Sequence, residues 1–189
     1  MDNPSSRPGD CSRYVAKPMS MEHRAYEFDW ATFDTDLRPI LADALGSNDT
    51  SQLLSYIDTN ISELTDPYEG LPLTSDWQSQ VEHIDEVHTL GDFALTRFYN
   101  PVDDFGVGDA WTEISDALNE SCQVAMLGQT VGPTDNPFDP GRMGSYFQSP
   151  NTVVQSIVEL AAVNDPKLAD YLSLLNACRS KNRGVYVTF

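Results

Sequence analysis

The chain closes with residues 149–189, SPNTVVQSIVELAAVNDPKLADYLSLLNACRSKNRGVYVTF, which predict two helices and a final strand. Ser149-Pro150 and Asp165-Pro166 are helix start signals, because serine or aspartate caps a first turn and proline suits the first helical position. The closing VYVTF is rich in β-branched and aromatic residues, which favour a strand. A strand that ends the chain needs a partner, so we expect a small sheet that includes it.

Upstream of this stretch, apolar residues at helical spacing predict further helices. The first ends at Leu45 and the second begins after a cap within residues 47–49, so the two form an αα-hairpin. Residues 76–99 are expected to be helical in two parts that break near Gly91. Asp109 is expected to cap the next helix. These segments outnumber the predicted strands, so helices dominate the predicted fold.

Two further segments are predicted as strands. Residues 24–33 alternate partly between apolar and polar side chains, as an edge strand does. Residues 122–127, CQVAML, form an apolar run that is typical of a buried strand. Residues 128–145 are rich in glycine and proline, which predicts a long loop of the kind that often carries function.

The predicted organisation is a flexible tail followed by one domain. Residues 1–22 contain three prolines, four serines and no apolar periodicity, so nothing there offsets the entropy of ordering. Met19 and Met21 are alternative start positions within this tail. Residues 23–189 are predicted to form a single α+β domain, dominated by helices, with a small sheet that includes the C-terminal strand.

Acidic side chains dominate the middle of the sequence. The chain has 29 Asp+Glu and 11 Lys+Arg, which gives a net charge of −18. Residues 39–141 contain 19 of the acids and one base, Arg97, so this stretch carries −18 and the flanks balance with 10 acids and 10 bases. Such a charge repels nucleic-acid phosphates and anionic lipid headgroups, and it attracts cations or a basic protein. We therefore predict neither a nucleic-acid partner nor a membrane partner.

The apolar runs and the cysteine pattern exclude several other classes. No uninterrupted apolar run exceeds four residues, and the first 30 residues lack the apolar core of a signal peptide. Cys11, Cys122 and Cys178 lie far apart with no CxxC pair, which argues against a disulfide framework and against a structural zinc site. We predict a cytoplasmic protein with reduced thiols, no cofactor and no metal.

No common catalytic motif is present, since the serine-hydrolase, dinucleotide-binding and P-loop patterns are all missing. His83 and His88 flank two acids, but a five-residue spacing separates two helical side chains by about 140°. They are therefore not expected to bind one metal, and we expect His88 to be half-buried and His83 to be solvated. His23 lies at the predicted tail, which leaves few histidines for catalysis. No residue is assigned a catalytic role.

Two loops supply most of the candidate binding residues. The turn-rich segment after Asn100 concentrates carboxylates, the ligands that hard cations prefer, although the spacing is not that of an EF-hand. The later loop carries Arg142, the first base after 44 positions without one, beside aromatic residues. A guanidinium in such a setting can stack on a ring or hold a carboxylate. The candidates are Asp103, Asp104, Asp109, Trp111, Arg142 and Tyr146.

From about Val107 onward the sequence resembles the YfbM-like family of small uncharacterised bacterial proteins. The segments that carry the resemblance are GDAWTEISDAL, MLGQTVGP, GSYFQSPNTVVQSIVEL and the closing RGVYVTF. One departure is that the first helix of the family usually carries a histidine after its tryptophan, where this chain has Ile114-Ser115. The resemblance implies an α+β fold and no established activity. The matching positions are Trp111, Leu127-Gly128, Tyr146 and Ser149-Pro150.

The leading functional prediction is a non-enzymatic, acidic cytoplasmic binding protein, and its specific form is an immunity-type inhibitor of a basic toxin. A surface of one sign speeds association with a partner of the opposite sign. One alternative is a hydrolase in which the three loop aspartates supply the carboxylates and Arg142 holds a small anionic substrate. Another is a housekeeping domain whose charge serves only solvation in a salt-rich cytoplasm. The leading prediction requires the acids of residues 39–141 to lie on one exposed flank.

Overall fold

The computed structural model describes residues 21–79, 81 and 83–189, so residues 1–20, most of the predicted tail, lie outside the described part of the chain. Across the described residues the chain forms eight α-helices and one three-stranded antiparallel sheet. This confirms the predicted α+β class, dominated by helices, with the C-terminal strand in the sheet. None of the described helices combines the length and the apolarity that crossing a lipid bilayer requires.

The sheet is built around the last strand of the chain. The strands are β1, Arg24–Phe28; β2, Ser145–Gln148; and β3, Gly184–Thr188. Their order is β1-β3-β2, and β3 pairs antiparallel with both neighbours. The closing strand is therefore the central strand of the sheet.

Helices flank the sheet in two groups of four. Ser149 caps the seventh helix by accepting the backbone amide of Thr152 at 3.2 Å, and Asp165 caps a short 3-10 turn before the eighth, as predicted. The first group is α1, Trp30–Asp36; α2, Arg38–Ser47; α3, Ser51–Asn60; and α4, Val87–Leu95. The second group is α5, Trp111–Ala117; α6, Glu120–Leu127; α7, Pro150–Ala161; and α8, Ala169–Lys181.

One face of the sheet, which we name the aromatic face, packs against α1–α4. Side chains alternate along a strand, so each strand sends every second residue to this face. The ring of Phe33 on α1 stacks on Phe147 with the two centroids 5.3 Å apart. The strand residues of the aromatic face are Tyr26, Phe28, Phe147 and Tyr186.

The opposite face, which we name the aliphatic face, packs against α5–α8. Its buried strand residues are Ala25, Val185 and Val187. Their side chains are smaller than those of the aromatic face. The second helix group therefore lies over aliphatic strand residues, and the two faces of one sheet carry two chemically different cores.

A polar network lies inside the aliphatic core. The side chain of Gln148 donates to the carbonyl of Ala125 at 2.9 Å and to the hydroxyl of Tyr171 at 2.8 Å, and it accepts from Ser156 at 2.9 Å. The Tyr171 hydroxyl donates in turn to the carbonyl of Met126 at 2.7 Å. Every member has a partner, so the network joins β2 to three helices without leaving a buried polar group unpaired.

The predicted strand at residues 122–127 is wrong, because these residues belong to α6. The side chain of Asn119 accepts the backbone amide of Cys122 at 2.9 Å and so caps that helix. A short apolar run fits a strand and a buried helix equally well, and here the cap favours the helix. The strand that the sequence analysis missed is β2, which lies at the end of the predicted long loop.

Three other boundaries differ from the predictions. Helix α4 continues through Gly91, where a Cβ atom would lie 2.6 Å from Cε2 of Phe138, so this glycine serves close packing rather than a break. The predicted strand at residues 24–33 ends at Phe28 because Asp29 caps α1. Asp109 does not cap α5, whose N-cap residue is Ala110 with no side-chain hydrogen bond.

We expect Gln148→Ala to lower the free energy of unfolding by about 3 kcal/mol, because it leaves buried hydroxyl and carbonyl groups without their partner. Equilibrium urea unfolding measures this loss. The matched control is Gln155→Ala on the exposed side of α7, which should change the stability by less than about 0.5 kcal/mol. Equal losses in the two variants would contradict the role of the network.

Candidate functional site

An acidic side chain interrupts the apolar helix α4. Asp92 lies among the buried residues Leu90, Phe93 and Leu95, and only 8% of its surface is exposed. Its carboxyl group makes no hydrogen bond and no ion pair with any other described residue. Buried polar groups without a partner are uncommon in folded proteins, because their desolvation is costly. This carboxyl is therefore the first candidate for a functional group.

Asp92 lines a cavity of about 260 Å³, which we name the Asp92 pocket. The cavity lies at the end of the aromatic face where β1 begins and β3 ends. Its volume is below the roughly 300–1,000 Å³ of pockets for drug-sized ligands, so it suits a small ligand or one side chain. The other lining residues are Arg24, Tyr26, Pro67, Tyr68, Tyr99, Pro140, Gly141, Tyr186, Thr188 and Phe189.

Four tyrosines from separate segments contribute to the lining of the Asp92 pocket. Tyr26 and Tyr186 stand opposite each other in the pairing of β1 with β3. Tyr99 packs against both, with ring centroids 4.8 Å from Tyr26 and 5.1 Å from Tyr186. Tyr68 is held by a turn in which the carboxylate of Asp66 accepts the backbone amide of Tyr68 at 2.8 Å. The sheet register and this turn thus bring the four rings to one pocket.

Burial, helped by the negative charge of Asp66, raises the pKa of Asp92 to about 7. Burial also raises the pKa of Tyr26 to about 12 and that of Tyr99 well above its usual value. The tyrosines are therefore neutral near pH 7, whereas Asp92 gains and loses its proton there. A carboxyl group in this state can serve as the counter-ion of a cation or as a general acid or base.

A second cavity of about 530 Å³ adjoins the Asp92 pocket and shares the side chain of Tyr68 with it. We name it the Glu86 cavity; Asp66 and Glu86 both line it. Arg142 reaches it from the solvent, with Nη2 3.8 Å from Oε2 of Glu86 and 84% of its side chain exposed. Its backbone φ of +56° is uncommon for a residue with a side chain.

The three aspartates that the sequence singled out lie on the loop between α4 and α5 and do not line the Asp92 pocket. Asp103 accepts a side-chain amide of the same loop at 2.7 Å and lines a different cavity. Asp104 accepts one backbone amide of β1 at 3.0 Å and one of its own loop at 2.8 Å, which fastens the loop to the sheet. Asp109 is exposed directly before α5.

The other three predicted residues lie against a lining residue of the pocket or at the adjoining cavity. Trp111 is buried at the start of α5 and Tyr146 lies on β2, and their ring centroids are 5.4 Å and 6.4 Å from that of Phe189. Phe189 is part of the lining of the Asp92 pocket. The structure thus brings Trp111 and Tyr146 together next to this lining, and it places Arg142 at the adjoining cavity.

His23, which directly follows the predicted tail, is packed inside the structure. Its side chain is fully buried, with ring centroids 5.1 Å from Trp111 and 5.3 Å from Tyr171. Its Nδ1 accepts the backbone amide of Val107 at 3.3 Å, and its Nε2 makes no hydrogen bond of ordinary geometry with the described residues. Burial lowers the pKa of His23 to about 4, so the ring is neutral near pH 7.

The other two histidines lie as predicted. His88 is half-buried, and its Nδ1 accepts the backbone amide of Asp139 at 3.1 Å. His83 is exposed, with its Nδ1 3.8 Å from the carboxylate of Glu86. Within the described part of the chain, no three histidine, cysteine or acidic side chains are grouped so that they could hold a metal ion.

Asp92 is the candidate functional residue that the sequence analysis missed. Its signal in the sequence is a single acid within the apolar run TLGDFAL of α4. An acid at one position of an apolar helix face is often solvated at the edge of that face, so the sequence alone does not show the burial. The tyrosines gave no signal, because they belong to four segments that only the folded chain brings together.

Comparisons of the chain with protein-family models, with curated proteins and with solved structures found no match. The resemblance to the YfbM-like family therefore stays a prediction. Function has to be inferred from the geometry and the charge of the Asp92 pocket.

Asp92→Asn should stabilise the protein above pH 7. An aspartate whose pKa rises on folding keeps its proton in the native state while the unfolded chain ionises, so its stabilising contribution is present near pH 4 and is lost as the pH rises through 7. The shift from 3.8 to about 7 corresponds to a loss of about 4 kcal/mol. Urea unfolding should show an advantage of the variant at pH 8 that disappears at pH 4. A gain of equal size at both pH values would contradict the buried, titrating carboxyl.

His23 should destabilise the native state in mild acid. Its folded pKa of about 4 lies below the unfolded value of 6.5, so the unfolded chain takes up a proton first as the pH falls. The expected loss between pH 7 and pH 4 is about 3 kcal/mol. Urea unfolding of His23→Gln should lack this part of the pH dependence, whereas His83→Gln, a change at an exposed ring, should keep it. Parallel pH profiles of the wild type and His23→Gln would exclude this burial effect.

Proposed function

We propose that the protein is an acidic binding protein whose ligand carries an alkylammonium group, and that the carboxylate of Asp92 receives this group in the Asp92 pocket. The observation that carries the proposal is that Asp92, of which only 8% is exposed, lacks any partner among the described residues and lines a cavity. A cation in that cavity would supply the missing partner. Catalysis is not required for this function.

The charge around the pocket favours a cation over an anion. Asp66 lies near enough to raise the pKa of Asp92, so it adds negative charge beside this carboxyl. Among the described residues of the lining, Arg24 is the one base, and it forms an ion pair with Glu22 at 2.9 Å. An anionic ligand would have to approach two carboxylates without a free counter-ion, which costs free energy in a partly desolvated site.

The tyrosines favour an organic cation over a hydrated metal ion. The face of an aromatic ring attracts an ammonium group, and each such contact contributes about 0.5–2 kcal/mol. A charge-assisted hydrogen bond from the ammonium group to Asp92 would contribute about 1.5–3 kcal/mol more. Tyr99, whose hydroxyl makes no hydrogen bond with the described residues, offers one further acceptor. Rings and one carboxylate together match an amine with an attached carbon chain.

This proposal includes the predicted inhibitor of a basic toxin, because a lysine side chain carries the same alkylammonium group as a free amine. The acids of residues 39–141 lie on α2–α4 and also on α5–α6, so they are not confined to one helix layer. A basic protein partner therefore finds its most specific contact at the Asp92 pocket. A hydrolase for an anionic substrate is less well supported by the geometry, because the predicted loop carboxylates do not line that pocket.

We expect butylamine to bind the wild-type protein and butanol, its neutral analogue, not to bind. Asp92→Asn should weaken butylamine binding by at least about tenfold, the equivalent of one charge-assisted hydrogen bond. Isothermal titration calorimetry measures both. Asp170→Asn, which removes an exposed charge from α8, is the matched control and should leave the affinity unchanged. Equal affinity in wild type and Asp92→Asn would reject the proposal.

The affinity for butylamine should also depend on pH. The ammonium group binds the ionised form of Asp92, so below a pKa of about 7 the ligand has to displace a proton. The dissociation constant should therefore rise about tenfold for each pH unit below 7 and level off above it. Binding of a peptide with one lysine, compared with the same peptide acetylated at that lysine, tests whether a protein can supply the alkylammonium group. A dissociation constant that stays the same between pH 5 and pH 8 would show that butylamine does not bind to the ionised carboxylate of Asp92.

A further inference from the structure

We propose that the ligand is a linear diamine or longer oligoamine, with one ammonium group on Asp92 and a second in the Glu86 cavity, where it displaces the guanidinium of Arg142. This inference rests on the proposed function, because it assigns the first ammonium group to the Asp92 pocket. It adds the chemical class of the ligand and names the residues that bind its second ammonium group.

The two cavities share two lining residues, so we place the ligand on a path from one cavity to the other across these residues. The shared residues are Tyr68 and Pro140, which contribute carbon surface between the two acidic ends. Tyr68 is 80% exposed at this junction, so a chain of methylene groups would cover apolar surface that now faces water. A diamine has this distribution of properties, with charge at both ends and hydrocarbon between them.

The far end of the path carries two carboxylates that could receive the second ammonium group. Asp66 uses Oδ1 to accept the backbone amides of Tyr68 and Glu69 at 2.8 Å and 2.7 Å, so Oδ2 remains available as an acceptor. Glu86 lines the same cavity, and its side chain is 43% exposed. One ammonium group near both would be balanced without further cations.

Arg142 already places its guanidinium at this cavity, and the ion pair that it forms with Glu86 is weak. The 3.8 Å between Nη2 of Arg142 and Oε2 of Glu86 is longer than a hydrogen bond, and an exposed ion pair of this kind contributes about 0–1 kcal/mol. Since 84% of the Arg142 side chain is exposed, the guanidinium can leave Glu86 by rotation of its own side chain, while Asp139 holds the backbone amides of Met143 and Gly144 in place. The guanidinium thus occupies the position of the second ammonium group until a ligand arrives.

The buried carboxyl supplies an independent reason to place a ligand on this path. The acids of the Glu86 cavity alone would be an ordinary solvated cluster. Asp92 is different, because only 8% of its surface is exposed, it has no partner among the described residues and it lines the neighbouring cavity. A monoamine would balance Asp92 and leave the outer carboxylates to Arg142, whereas a diamine balances both ends.

Calorimetry with a series of amines tests the inference. The probes are butylamine, hexylamine and the diamines from diaminobutane to diaminooctane. We expect the best-fitting diamine to bind the wild type about threefold to fivefold more tightly than the monoamine of the same carbon number, the equivalent of one additional partly screened ion pair. The variant Glu86→Gln should reduce this preference and keep monoamine binding, because Glu86 does not line the Asp92 pocket. Glu159→Gln, an exposed charge on α7, is the matched control and should leave the preference intact.

Arg142→Gln supplies a second measurement. Removal of the competing guanidinium should tighten diamine binding by about threefold to fivefold and leave monoamine binding unchanged. If Arg142→Gln binds the diamine with unchanged affinity, the ligand does not displace the guanidinium of Arg142, and this part of the inference is wrong.

The outcomes separate this inference from the proposed function. If neither monoamines nor diamines bind, the proposed function itself fails. If butylamine binds through Asp92 and no diamine binds more tightly, only the present inference fails. If a dilysine peptide binds more tightly than every diamine, the two ammonium groups belong to a protein partner. This result would overturn the inference that the ligand is a small oligoamine.

Discussion

The burial of β3 on both faces is the constraint on which the rest of the structure depends. Tyr186 fills the aromatic core, while Val185 and Val187 fill the aliphatic core on the other side. A slip of one residue would exchange these side chains and place a phenol in the aliphatic core. Since β3 is hydrogen-bonded to both neighbours, the same register fixes β1 and β2 and, through them, the side of the sheet on which each helix group packs.

The Asp92 pocket is a consequence of this register. Near Phe28 the aromatic face is closed by packed rings, with Phe28 and Phe33 5.1 Å apart between centroids. At the opposite end Tyr26 and Tyr186 leave room, and α4 presents a carboxyl there instead of an apolar side chain. A leucine in place of Asp92 would make the cavity smaller and remove the cost of a buried charge. Buried ionisable groups that lower the stability of the fold in this way are often binding or catalytic groups, because the same burial shifts their pKa values.

Local signals predicted part of this molecule, and long-range contacts determined the rest. The start of α7 and the final strand were predictable, because Ser149, Pro150 and the closing VYVTF act through neighbouring backbone groups. The segment at residues 122–127 was not, since its apolar run fits both periods and the cap at Asn119 lies outside it. The candidate site was harder still. The loop acids and Arg142 were visible as a local pattern, whereas the burial of Asp92 depends on rings from residues that are distant in sequence.

The acidity of the chain and the pocket act on a cation in different ways. The net charge of −18 raises the concentration of cations near the surface and so speeds their arrival. Over distances beyond about 8 Å this field is screened at physiological ionic strength, so most surface acids have little influence on Asp92. Asp66 is near enough to act on it directly and makes the pocket prefer any positive species, a proton included. Selection of an amine over a proton must then come from the rings and from the second cavity, which a proton cannot occupy. The pocket therefore keeps its preference for an organic cation whether or not the acids of residues 39–141 gather on one flank.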